Sequence, residues 1–188
     1  MRKHLCRSLV CFGLATVSMI AASQEVTKYP VKLTDFEQWE KFPADCAGYR
    51  RSTVRTYAPA LTDYSVTYQS YGSMLRNTAT LFFYPRMEDS AVQLRSEVSE
   101  VLNAHQDGHI VNRREIDLEA KGKKYSATLI TFEFTDRIAE YRQSFSSQLL
   151  IVFLDTGTFK VRSTSPVEQA GEAEAAVRQL LQCVSWST

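Results

Sequence analysis

Cys46 and Cys183 stand 137 residues apart in a chain of 188. If they are joined, any fold must bring both positions to a Cα separation of about 4.4–6.8 Å. In the chain-entropy description, so long a loop contributes near the upper end of the usual 2–4 kcal/mol. Whether they pair depends on the compartment, and the amino terminus speaks to that.

The chain opens with Arg2, Lys3 and Arg7, runs apolar from Leu9 to Ala22, and passes through Ala21, Ala22 and Ser23. A basic head, an apolar stretch and a small-residue exit are the three parts of a secretory signal peptide. The apolar run, about 14 residues, is shorter than the ~20 a membrane-spanning helix needs. We therefore expect residues 1–23 to be a signal peptide and the mature chain to be exported, periplasmic or secreted, with no stable membrane insertion. An uncleaved anchor is the alternative. Cys6 and Cys11 leave with the signal, so Cys46 and Cys183 are the only cysteines to reach an oxidising space, where disulfides persist. Two buried thiols or an intermolecular bridge are the rival readings. A thiol catalyst has little behind it, because there is no CxxC spacing and neither cysteine has a histidine nearby in sequence.

Beyond Ser23 the chain holds 19 basic residues against 21 acidic ones, a net charge of −2. Such a chain presents no strong field to nucleic acid or acidic lipid. The pairs Arg50-Arg51, Arg113-Arg114 and Lys123-Lys124 sit among acidic or polar neighbours and read as solvated strand or turn.

About 165 residues suit one domain with a real core, and no repeat or linker divides residues 24–188. Phe36, Trp39 and Phe42 fall at helical spacing ahead of Pro43. From Tyr49 the period becomes two, predicting strands near 48–58, 63–71 and 77–85, with "TATLFFY" apolar on both faces and therefore central. Ala91, Leu94, Val98, Val101 and Leu102 form one helical stripe, capped by Asp89 or Ser90 and stopped at Asp107-Gly108. Strand patterns return over 110–119, after the Lys121-Gly122 turn, and in "SFSSQLLIVFL" and "TFKVRST". A last helix opens at Ser165-Pro166-Val167-Glu168, serine serving as cap. The expectation is an α+β fold: a largely antiparallel sheet of about six or seven strands with two amphipathic helices packed on it.

The stretch "GYRRSTVRTYAPALTDYSVTY", then "ATLFFYP", a helix, and "FKVRSTSP" leading into another helix resembles small exported bacterial proteins of uncharacterised function. At fold level the order is loosely similar to the PsbP/Mog1-like group. The resemblance implies the architecture and carries no activity and no site.

Three motifs invite a functional reading. "IVFLDTGTFKV" looks like the Asp-Thr-Gly loop of aspartic proteases, which need a second carboxylate to share the proton. A second triplet is missing, and a tight hairpin between Leu154 and Phe159 accounts for the same letters. "HQDGH" places His105 and His109 at a spacing that could grip a metal from one helix face, but Gly108 interrupts that face. His105 is favourably placed at the negative end of the helix. Six of the nine tyrosines crowd the first three strands, and Tyr57, Tyr64, Tyr68 and Tyr84 are the candidates for a binding face. Tyrosine is equally a good strand residue. The sequence has no GxSxG and no Gly-rich phosphate loop.

We assign no catalytic residue, metal or cofactor. The expected function is a non-enzymatic exported domain that binds an envelope protein or a ligand. The alternatives are an envelope hydrolase using carboxylates such as Asp63, Glu133 and Asp155, and a structural or assembly accessory of an envelope complex.

Overall fold

A computed structural model describes residues 39–57, 62–71, 77–138 and 140–187. The segment expected to be a signal peptide, its expected cleavage point and Phe36 lie outside the described residues. The sheet has eight strands, where the periodicity predicted six or seven. They are β1 (Asp45–Cys46), β2 (Tyr49–Thr56), β3 (Tyr64–Ser70), β4 (Thr78–Tyr84), β5 (His109–Ala120), β6 (Lys123–Ile138), β7 (Tyr141–Leu154) and β8 (Gly157–Pro166). The additional strand is β1. Two residues carry no period, and β1 exists because the Ala47-Gly48 turn folds it back on β2. Both turn residues have positive φ, +50° and +77°, as do Lys121 and Gly122 at +53° and +73° between β5 and β6. This is the two-residue turn whose twist matches paired strands.

The strand order is β1-β2-β3-β4-β8-β7-β6-β5, with every neighbouring pair antiparallel. Two four-strand meanders thus join at β4 and β8, and α1 (Ser90–Ala104) connects them. β4 is flanked on both sides, as its two-faced apolarity predicts.

Each helix covers one sheet face. α2 (Ala170–Cys183) lays Val177, Leu180 and Leu181 on Val66, Leu81, Leu129 and Val161. α1 lays Leu94 and Val101 on Ile130, Phe132, Leu149 and Ile151. Burying one such side chain contributes about 1.5–3 kcal/mol, so these stripes fix which helix face turns inward. Asp89 caps α1, its carboxylate accepting from the Ala91 and Val92 N–H groups, which holds its pKa below the ordinary value. α1 ends at Ala104, before Asp107-Gly108, and Gly108 does not adopt a left-handed conformation. The last helix also begins later than its capping pattern predicts. Ser165 and Pro166 remain in β8, paired with Ser146 and Phe145 of β7, and a 3₁₀ turn (Val167–Gln169) precedes α2. Ladder pairing overrides the local cap there.

Candidate functional site

Where β3 begins and β4 ends, the segment before β1 and the tail after α2 meet over the sheet and enclose a cleft of about 140 Å³. Its apolar wall is aromatic. The register sets Tyr64 opposite Phe83, and Phe83 opposite Phe159. The Tyr64 and Phe83 rings stack with centroids 4.7 Å apart, and Phe159 stacks on Trp186 at 5.0 Å. The Trp186 indole N–H donates to the Leu181 carbonyl at 3.1 Å, which fixes the ring. Tyr64, Phe83, Tyr84 and Trp186 all line the cleft.

Leu154 adds one aliphatic side chain, and the remaining wall is polar, formed by Lys41, Thr62, Thr156, Thr158 and Ser185. The Ser185 N–H donates to the Lys41 carbonyl at 2.9 Å, tying the tail to the lead-in. Gly157 closes the floor. A Cβ there would stand 2.9 Å from the Tyr84 carbonyl oxygen, so only glycine fits without a shift. Among the described residues, Lys41 is the one charged residue in this lining. Burial pushes the Tyr64 hydroxyl well above its usual pKa. Burial and then the hydrogen-bonded Glu97 do the same to Tyr84. Both phenols are therefore neutral, and among the described residues the one full charge on the cleft wall is positive.

Beside the cleft, on the α1 face, Lys160 is buried at 7% exposure. Its Nζ lies 2.6 Å from Glu97 Oε2, 3.6 Å from Glu100, and 4.4 Å from the centre of the Phe82 ring. The Tyr84 hydroxyl donates to the other Glu97 oxygen. Gln93 bonds Thr158 Oγ1 and accepts from the Met87 N–H. These contacts clamp α1 to β4 and β8. The Lys160 ammonium is engaged by two carboxylates and an aromatic ring, so the group acts as a clamp.

Cys46 and Cys183 form a disulfide, with Cα atoms 6.2 Å apart. Cys46 is buried in the α2-side core, whereas Cys183 is exposed. The four candidate tyrosines do not share an exposed face. Tyr64 and Tyr68 are buried with Val66 under α2, since residues of one parity in β3 point the same way. The Tyr68 hydroxyl donates to the Pro43 carbonyl, and burial raises its pKa to about 12. Tyr84 faces α1. Tyr57 is 47% exposed, its hydroxyl 3.1 Å from Ser65 Oγ. Of the four, only Tyr64 and Tyr84 meet at the cleft.

Asp155 and Thr156 are the two residues of the β7–β8 turn, with Leu154 paired to Gly157, so the protease-like letters form a hairpin. His105 stacks on Phe134 at 3.5 Å, and His109 lies exposed in β5. Asp107 instead accepts from the Thr135 N–H. Asp63 and Asp155 sit at the cleft end of the sheet. Glu133 pairs with Ser146, nine residues before Asp155 along β7, about 30 Å away at ~3.3 Å per residue. The three carboxylates do not converge.

Among the described residues no helix is long and apolar enough to cross a membrane. In comparisons with family models and with curated proteins, nothing matches the chain.

Proposed function

We propose that the chain is an exported domain, periplasmic or secreted, that binds a small ligand without transforming it. The observation that carries this reading is the aromatic cleft held between two segments drawn together by the disulfide. Lys41 lies five residues before Cys46, and Ser185 and Trp186 directly follow the turn after Cys183. A disulfide fits an oxidising compartment. A concave site with an apolar wall and a few polar groups is the form small-molecule sites take.

A ligand-detected NMR screen of small aromatic and aliphatic fragments tests the reading, with Thr156→Phe as a plugged control. Thr156 is an exposed turn residue at the cleft, so the new ring occupies the cavity from its rim. Binding that disappears in the plugged variant supports the proposal. Fragments that bind both proteins equally refute it. Export is tested separately by amino-terminal sequencing of the extracytoplasmic protein, and finding Met1 retained would refute it.

The accessory reading has one observation of its own. Ile138 and Tyr141 pair at the tip of the β6–β7 hairpin, 50% and 78% exposed. If that tip docks on an envelope partner, Tyr141→Ser should abolish co-purification of the partner while leaving the melting temperature unchanged.

A further inference from the structure

We infer that the cleft takes a small planar aromatic acid, with its ring against the aromatic wall and its carboxylate at the Lys41 ammonium. The inference rests on the ligand-binding reading above and specifies the chemistry of that same site.

Size narrows the ligand first. The cleft, about 140 Å³, compares with an engineered cavity of roughly 150 Å³ that holds benzene. It lies below the roughly 300–1,000 Å³ of sites for drug-sized molecules, so a single ring fits and a long acyl chain does not. Shape points the same way. Four aromatic side chains line the cleft, and flat π surfaces favour offset or edge contacts with another ring.

Charge completes the argument. Lys41 is half-buried and forms no ion pair among the described residues. Among the described residues the lining contains no carboxylate, Asp63 and Asp155 standing beside it in the chain and not in it, so a cationic ligand would meet the like charge of Lys41 and touch no counter-charge. The hydroxyls of Ser185 and Thr62 belong to the same wall and can donate to carboxylate oxygens. A charge-assisted bond to Lys41 is roughly twice as strong as a neutral one, so the acid gains over its neutral analogue.

Benzoate, phenol and benzylamine separate the possibilities when titrated into the oxidised, exported protein. The readout is the indole N–H cross-peak of Trp186. Benzoate should shift it saturably with a Kd on the order of 1 mM, the range open to so small a ligand. Phenol should bind about tenfold more weakly and benzylamine not at all. Lys41→Gln should bring benzoate down to the level of phenol and leave phenol unchanged. Thr156→Phe should abolish both, and Ser185→Leu provides a second plug if the first folds poorly. Equal binding of phenol and benzoate, or a Lys41→Gln variant that keeps full benzoate affinity, overturns the acid class while leaving the cleft a ligand site. No saturable shift with any of the three probes overturns the class and the ligand-binding reading together.

Discussion

Removing the disulfide is the most informative single perturbation, and the structure shows which cysteine to change. Cys183 is exposed, so Cys183→Ser deletes the crosslink and little else. Cys46 is 8% exposed within the core cluster, so Cys46→Ser adds a hydroxyl to that apolar cluster and should cost more than the crosslink alone. The loop closed is 137 residues. Loop-closure entropy for that length sets a ceiling of about 5 kcal/mol, and measured disulfides more often contribute about 2–4 kcal/mol. For a domain of this size 1 kcal/mol moves the melting temperature by about 2–4 °C, so Cys183→Ser should melt roughly 5–15 °C lower. The fold should survive, because Trp186 remains 2% exposed and stacked on Phe159, and the sheet does not depend on the tail. Thermal melts of wild type with and without reductant, beside both serine variants, make the measurement. Reduced wild type should match Cys183→Ser, and Cys46→Ser should lie below both. A Cys183→Ser protein melting within about 2 °C of oxidised wild type would refute the stabilising role. So would two reactive thiols per chain in denatured, non-reduced protein.

Other perturbations follow from the same contacts. Gly157→Ala drives a Cβ against the Tyr84 carbonyl and should cost about 1–3 kcal/mol in urea unfolding, whereas Asp155→Asn, two residues away on the exposed turn, should cost nearly nothing. Lys160→Met leaves Glu97 buried without its cation and should destabilise by about 3 kcal/mol or more; adding Glu97→Leu and Tyr84→Phe should recover most of it, and a triple variant no better than the single would contradict the clamp. His105 is held below its ordinary pKa of 6.5, chiefly by burial against Phe134 and then by Arg162, with Asp136 and Asp107 opposing. The unfolded chain therefore binds more protons just below that value, so the contribution is complete above 6.5 and is lost as pH falls through the folded pKa. Melts at about pH 7.5 and about pH 5 should show a smaller pH-dependent loss for His105→Leu than for wild type, and equal losses would refute the assignment.

Legibility in this chain tracks sequence distance. The seven longer strands, the α1 stripe and the Asp89 cap are set by residues close together in sequence and fall near where the pattern predicts, whereas the two-residue β1 carries no period that predicts it. The tyrosines show where that stops. Within β3, parity alone puts Tyr64, Val66 and Tyr68 on one face. Whether Tyr84 joins them depends on the register that sets Phe83 opposite Tyr64, a relation between strands. That register sends Tyr84 to the α1 face and leaves the four candidates divided. The Ser165 cap fails for a related reason: its neighbours favour a helix start, but β7 offers a full ladder partner, and buried backbone groups take the ladder. The cleft is the extreme case. Lys41 and Ser185 lie at opposite ends of the described chain and meet through one backbone hydrogen bond. Nothing local to "EKF" or "VSW" marks them as neighbours. The nearest signal was the cysteine pair, because a crosslink between positions 46 and 183 forces their flanking residues into one region. Followed outward a few residues on each side, the staple leads to Lys41, Ser185 and Trp186. In a domain closed by one long-range disulfide, the segments beside each half-cystine are therefore the first place to look for a site.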